Sequence, residues 1–156
     1  MKQGNKKSAE NAEKRSYTRR ILFLSNADSV LKERISDPSY NIRAFCNDMN
    51  MRRSTLYRKL RKVTGKTIGD YISLKRTALA CSVLTNNPRM PDSALAAVSG
   101  FKSTRALRRR FNSVLGMKPD EYRIRVLRGR PLVIQATASQ NAQYPPQSED
   151  HRSEPQ

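Results

Sequence analysis

Apolar residues recur along this chain at helical spacing. Leu24, Ala27, Leu31 and Ile35 fall at i, i+3, i+7 and i+11, which predicts a helix over 20–36 stopped by Asp37-Pro38. Ile42, Phe45 and Met49 predict a short helix capped by Asn41, with Asn50 supplying a tight turn after it. Leu56, Leu60 and Val63, at i, i+4 and i+7, mark the next helix, and Gly65 ends it in a left-handed position. Thr67 caps a long helix over 68–84, ended by Asn86-Asn87-Pro88. Its apolar residues lie on two faces, Ile68, Tyr71 and Ile72 early and Leu79, Val83 and Leu84 late, as in a connector between two bodies. Pro91-Asp92-Ser93 opens another short helix, with Asp92 or Ser93 available as its cap and Leu95, Ala96 and Val98 following. After a turn at Gly100, Leu107, Phe111 and Val114/Leu115 form a buried stripe that Gly116 closes. Pro119 then starts a last helix, with acids in its first turn and Tyr122 as core. The predicted fold class is all-α.

The pattern is written twice. Sliding the sequence by 50 residues puts Phe45, Cys46, Asn50 and Met51 on Leu95, Ala96, Gly100 and Phe101. A shift of 51 puts Leu56, Arg58, Leu60, Val63, Gly65, Asp70 and Tyr71 on Leu107, Arg109, Phe111, Val114, Gly116, Glu121 and Tyr122. The shift changes by one because the second turn is a residue longer. Such a repeat means two copies of one supersecondary unit. Here the unit is a short helix, a tight turn and a second helix: a helix-turn-helix, whose second helix enters the DNA major groove.

Charge gives the second helices their role. The stretch 51–65 holds six basic residues and 102–110 holds five, with no acid in either. The chain carries a net +18, and between Arg20 and Arg130 there are 24 Lys/Arg against 8 Asp/Glu, a balance of +16 in the predicted folded part. A polyanionic partner follows, double-stranded DNA first. Only ten Phe and Tyr occur, most on buried stripes, so the stacking platform of a single-strand or RNA binder is missing. Acids are scattered and the one histidine, His151, lies in the C-terminal tail, so no catalytic centre, metal site or cofactor is expected and the protein reads as no enzyme. Cys46 and Cys81 sit at apolar helical positions without CxxC spacing, as buried thiols of a reducing cytosol do. The apolar run at 21–24 is far too short for a membrane span.

These elements divide the chain into a disordered basic arm (1–19), a first helix-turn-helix subdomain (20–66), a connector helix (67–87), a second helix-turn-helix subdomain (88–130) and a disordered tail (131–156) of Gln, Ser, Ala and Pro, in which Leu132, Val133 and Ile134 could still pack on the domain. Major-groove reading uses arginine above all, and Arg58 is central on the exposed face of its helix, with Arg109 as its repeat-mate. Arg52, Arg53, Arg61, Lys62 and Lys102 are expected to contact phosphates, which position a protein without specifying sequence.

Ser54 to Leu60 with Thr64-Gly65 and Asp70-Tyr71-Ile72, and then Ala96 to Phe101, Arg109 to Phe111, Gly116-Met117 and Pro119 to Arg123, resemble the DNA-binding domain of the AraC/XylS family of bacterial transcription regulators. The likeness covers about 23–127 in order and at the family's spacing. It implies two helix-turn-helix subdomains joined by a central helix, and base contacts from Ser54, Tyr57 and Arg58 and from Thr104, Arg105, Arg108 and Arg109. The sequence departs from the family's pattern at Ala106-Leu107, Arg110, Asp92 and Ser99, all in the second unit. It resembles the short, stand-alone members, without a small-molecule effector domain. Such a protein would sit on DNA as a monomer in the cytoplasm, nucleoid-associated, with RNA polymerase as a further candidate partner.

Overall fold

The computed structural model describes residues 3–132, and the expected tail beyond Leu132, with Val133 and Ile134, lies outside them. Among the described residues there are seven helices and no strand. They are α1 (Gln3–Arg34), α2 (Ile42–Asp48), α3 (Arg53–Thr64), α4 (Ile68–Asn86), α5 (Asp92–Val98), α6 (Thr104–Leu115) and α7 (Pro119–Leu127).

The apolar stripes bury two cores. Leu24, Ala27, Leu31 and Ile35 of α1 meet Phe45, Cys46 and Met49, Leu56 and Leu60, and the first turns of α4 through Ile68, Tyr71 and Ile72. Ala80, Cys81 and Leu84 of the same α4 meet Leu95, Ala96, Phe101, Leu107, Phe111 and Tyr122. The connector therefore serves the first core with Ile68, Tyr71 and Ile72 and the second with Ala80, Cys81 and Leu84, while Leu79, expected on the late face, packs against the first core instead. Thr77 lies fully buried between them, its hydroxyl donating to the Ser73 carbonyl at 2.9 Å. Neither unit could bury its stripe without α4, because a three-turn helix has little to pack on alone.

Local chemistry sets the ends of the elements. Asn41 accepts from the amides of Arg43 and Ala44, capping α2, and Asn50 takes the left-handed turn at φ 50°. Thr67 caps α4, Ser103 caps α6, and Pro119 opens α7. The turn between α5 and α6 is one residue longer than that between α2 and α3, as the change of repeat shift requires.

Two further expectations need correction. The stretch 3–19 is helix rather than a disordered arm, and α1 runs 32 residues. From Asn5 to Arg34 there is no Pro or Gly, while Ala, Glu, Lys and Arg favour helix, so propagation from the packed half costs little. Neither Asp92 nor Ser93 caps α5: Pro91 stands at the cap without a side-chain bond, and Asp92 already lies in the first turn, its carboxylate engaged elsewhere. Val98, which follows Leu95 and Ala96 in α5, is exposed, because seven residues turn the helix only twice and those two fill the buried side.

The two units touch away from the connector as well. Arg76 of α4 donates to the carbonyls of Ile35 at 3.2 Å, Asp37 at 2.9 Å and Tyr40 at 2.8 Å, closing off the C-terminus of α1 and the loop behind it. Gly100, in the second unit's turn at φ 75°, rests directly on this clamp. A Cβ there would come within 2.0 Å of the Ile35 carbonyl oxygen and 2.8 Å of Arg76 Nε, so both the conformation and the space demand glycine. Next to it, Ser99 is fully buried, and among the described residues its hydroxyl has no hydrogen-bond partner. Burying a hydroxyl without a partner is costly, so Ser99→Ala is expected to stabilise the fold by about 1 kcal/mol. Thermal unfolding of the two proteins measures this, and a lower midpoint for the alanine variant would contradict it.

Candidate nucleic-acid interface

The two units present α3 and α6 in the same way. Each runs 12 residues, each buries a pair of apolar side chains fully (Leu56 and Leu60; Leu107 and Phe111), and each ends on a left-handed glycine, Gly65 at φ 70° and Gly116 at φ 67°. Burying the stripe turns the opposite face outward. Ser54, Tyr57 and Arg58 are exposed on α3, as are Arg105, Arg108 and Arg109 on α6, while Thr104 at the start of α6 is half-buried. Among the described residues Arg58, Arg105 and Arg109 have neither an ion pair nor a side-chain hydrogen bond, so their guanidinium groups remain available. Tyr57 keeps 45% of its surface open.

Two residues expected at the interface are engaged by the protein itself. Arg61 donates to the Gly65 carbonyl at 2.8 Å and so closes its own helix; a phosphate would have to share it. Arg108 Nε donates to Asp92 Oδ2 at 2.7 Å, drawing the side chain from α6 toward α5. The other phosphate candidates are open. Arg52 is the cap residue of α3 and Arg53 its first residue, Lys62 lies in its last turn, and Lys102 lies in the loop before α6. All four are exposed.

A model of the helix-turn-helix domain family matches residues 45–125, from α2 to α7 and thus more than half of the chain. The chain belongs to the AraC-type helix-turn-helix family. Solved structures agree on the fold. The DNA-binding domain of AdpA, a global transcriptional factor solved in complex with a target DNA, is similar with a TM-score of 0.58 at 25% identity, covering 69% of this chain and 96% of that one. The C-terminal domain of AraT, a response regulator from Geobacillus stearothermophilus, gives 0.59 at 16% identity, covering 83% and 95%. The C-terminal domain of the response regulator yesN from Fusobacterium nucleatum gives 0.55 at 18% identity, covering 62% and 93%. A search of the curated proteins finds no match.

The departures from the AraC-type pattern acquire physical explanations in three cases out of four. Leu107 is fully buried where an aromatic ring is usual, with Ala106 packed beside it, so a smaller side chain fills the same core position. Arg110 reaches across to Asp70 at the start of the connector, 3.5 Å away. Asp92, which replaces an apolar residue, receives Arg123 Nη2 at 2.6 Å on one oxygen and Arg108 on the other. Arg123 also donates to the Met90 carbonyl at 2.7 Å. Burial works to raise the Asp92 carboxyl, but the bonds from Arg123 and Arg108 outweigh it and hold it below the usual carboxylate range. The buried, unpartnered hydroxyl of Ser99 has no such account.

Sequence reasoning missed the polar contacts that span elements. Tyr71 donates to Asp28 of α1, and Lys75 binds the same carboxylate at 2.7 Å, fastening α4 to α1. Tyr40, buried, donates to Asp48 at 2.9 Å. An aspartate among apolar positions at Asp28 is the sort of signal that could have pointed to such a contact; the loop residue Tyr40 offered none. Burial pushes the Cys81 thiol up to about 12 and raises that of Cys46, so both remain protonated packing groups. Among the described residues no group of acids, cysteines or histidines could hold a metal ion, and no helix is long and apolar enough to cross a membrane.

Proposed function

We propose that this protein is a sequence-specific DNA-binding transcription regulator of AraC type, with α3 and α6 reading successive major-groove segments of one asymmetric site. The observation that carries the reading is the duplicated, acid-free basic face, held outward by two buried stripes in a fold shared with a protein solved on its target DNA. Ser54, Tyr57 and Arg58 read bases in the first segment, and Thr104, Arg105, Arg108 and Arg109 in the second. Arg58 and Arg109 carry most of the discrimination, because a free guanidinium can take both acceptors of a guanine edge. Arg108 reads from a position fixed by Asp92. Arg52, Arg53, Lys62 and Lys102 hold phosphates, and Arg61 contributes charge from its helix-closing position. The protein acts as a monomer in the cytoplasm at the nucleoid, without a catalytic role, and reaches the transcription machinery through RNA polymerase.

Replacing one reader and one phosphate contact on the same helix tests the assignment. Arg58→Ala is expected to cost on the order of 1–3 kcal/mol on a site selected from random DNA and to relax preference at one base pair. Lys62→Ala should weaken all sequences about equally and lower the slope of affinity against salt by about one unit. Uniform loss in both variants would make Arg58 a phosphate contact and remove the basis for sequence reading by α3.

A further inference from the structure

The buried face of α1 changes character along its length. Beyond Leu24 it is apolar and packs the first core, but toward the N-terminus the same side continues as Phe23, Arg20, Arg19 and Ser16, at i, i−3, i−4 and i−7. These four face Lys59, Lys62 and Val63 of α3 across an open cleft of about 230 Å³. Lys59 is drawn toward α1 by the Phe23 ring, its Nζ 5.6 Å from the centroid. Four cations thus line one small cleft from two helices. Among the described residues none of the four forms an ion pair. Like charges brought together this way repel unless an anion lies between them.

The position of the cleft indicates which anion. Lys62 stands one helical turn beyond Arg58 on the same surface of α3, so the cleft opens beside the proposed base-reading face. Whatever DNA strand passes Arg58 continues past Lys62 toward α1. From Lys6 to Arg20 every residue of α1 is exposed, and the segment holds Lys6, Lys7, Lys14, Arg15, Arg19 and Arg20 against Glu10 and Glu13. We infer that the α1–α3 cleft is a phosphate clamp on the DNA backbone flanking the first major-groove segment, with Arg19 and Arg20 as its ligands from α1 and Lys59 and Lys62 from α3. It extends the contact outside the span of the two reading helices and adds affinity without sequence preference. This inference rests on the proposed DNA binding, but on residues other than the base readers.

The test uses the full chain with Arg19→Gln/Arg20→Gln, two exposed positions whose exchange leaves the core intact, on a duplex selected by the parent protein. Phosphate-ethylation interference is expected to show one or two flanking phosphates that matter to the parent and not to the variant. Affinity should fall about tenfold at 200 mM salt for every sequence tried, and the salt slope should drop by about two units. The preference at the Arg58 base pair should be unchanged. Identical ethylation patterns and slopes for parent and variant, with Arg58→Ala still losing discrimination, would overturn the clamp and leave the base-reading proposal standing. Loss of the flanking phosphates in a protein that shows no base preference at all would support the clamp and overturn base reading. Binding of poly-glutamate that depends on Arg19 and Arg20, with DNA ethylation unaltered, would assign the cleft to an acidic protein and overturn the clamp as well.

Discussion

Inserting five base pairs between the two halves of a selected site is expected to lower specific affinity about a hundredfold or more, equivalent to roughly 3 kcal/mol. Five base pairs turn the second segment about half a helical turn, to the far side of the duplex. A chain with loosely tethered units could follow it, but this one cannot. The connector α4 spans Ile68–Asn86, 19 residues, two longer at its C-terminal end than the apolar pattern implied. At 1.5 Å per residue it is about 28 Å long, short of the ~34 Å between major-groove segments on one face of straight DNA. Arg76 holds the three carbonyls at the end of α1, and Gly100 of the second turn lies against that clamp with no room for a methyl group. Arg110 adds a further tie to Asp70. The relative placement of α3 and α6 is therefore held by the protein, and on the proposed two-segment reading DNA is expected to bend to meet it, at a cost of a few kcal/mol. Gel-shift titrations of the parent and expanded sites decide the matter. Equal affinity for both would mean that only one unit reads DNA, most simply the first.

The second large effect is salt. Affinity for the selected site is expected to fall about a thousandfold or more between 50 and 200 mM salt, if about six to ten phosphates are contacted. The exposed charge is consistent with that number: Arg52, Arg53, Lys62 and Lys102 at the helix ends, the proposed basic readers, and the α1–α3 cleft. Arg61 and Arg108 are expected to contribute less than their charge suggests, because one bonds Gly65 and the other Asp92. Fluorescence anisotropy across a salt series measures the slope, and base preference measured at each point must persist. Equal affinity for all duplexes at every salt concentration would favour an architectural role over regulation at defined sites.

Much of the fold was legible because it depends on short-range rules. The stripes at Leu56–Leu60 and Leu107–Phe111 predicted which faces are buried, and the two-faced pattern of 68–84 predicted a shared connector. Asn41, Thr67, Gly65 and Pro119 each do at a helix end what their side chain or backbone favours. What the sequence concealed depends on contacts between distant elements. Nothing in the local pattern singles out Arg76, but in the fold it satisfies carbonyls some forty positions earlier. Asp92 reads as a cap, although its carboxylate is taken by two arginines from α6 and α7. The first half of α1 was misread because its composition suits a solvated coil and an exposed helix equally well. Its alignment with a packed helix and the absence of Pro or Gly after Gly4 decide for helix.

The division of α4 between two cores has a consequence for how such a regulator can change. Among the described residues Leu56 and Leu60 belong to one core and Leu107 and Phe111 to the other, so substitutions on one outward face are expected to leave the packing beneath the other untouched. Effects at well-separated sites without shared partners add. Each half of the recognised sequence can thus drift independently, as long as Arg76, Ile35 and Gly100 keep the distance between them constant. Variation in targets within such a lineage should accumulate in the letters of the two half-sites, and the spacing between them should be the last feature to change.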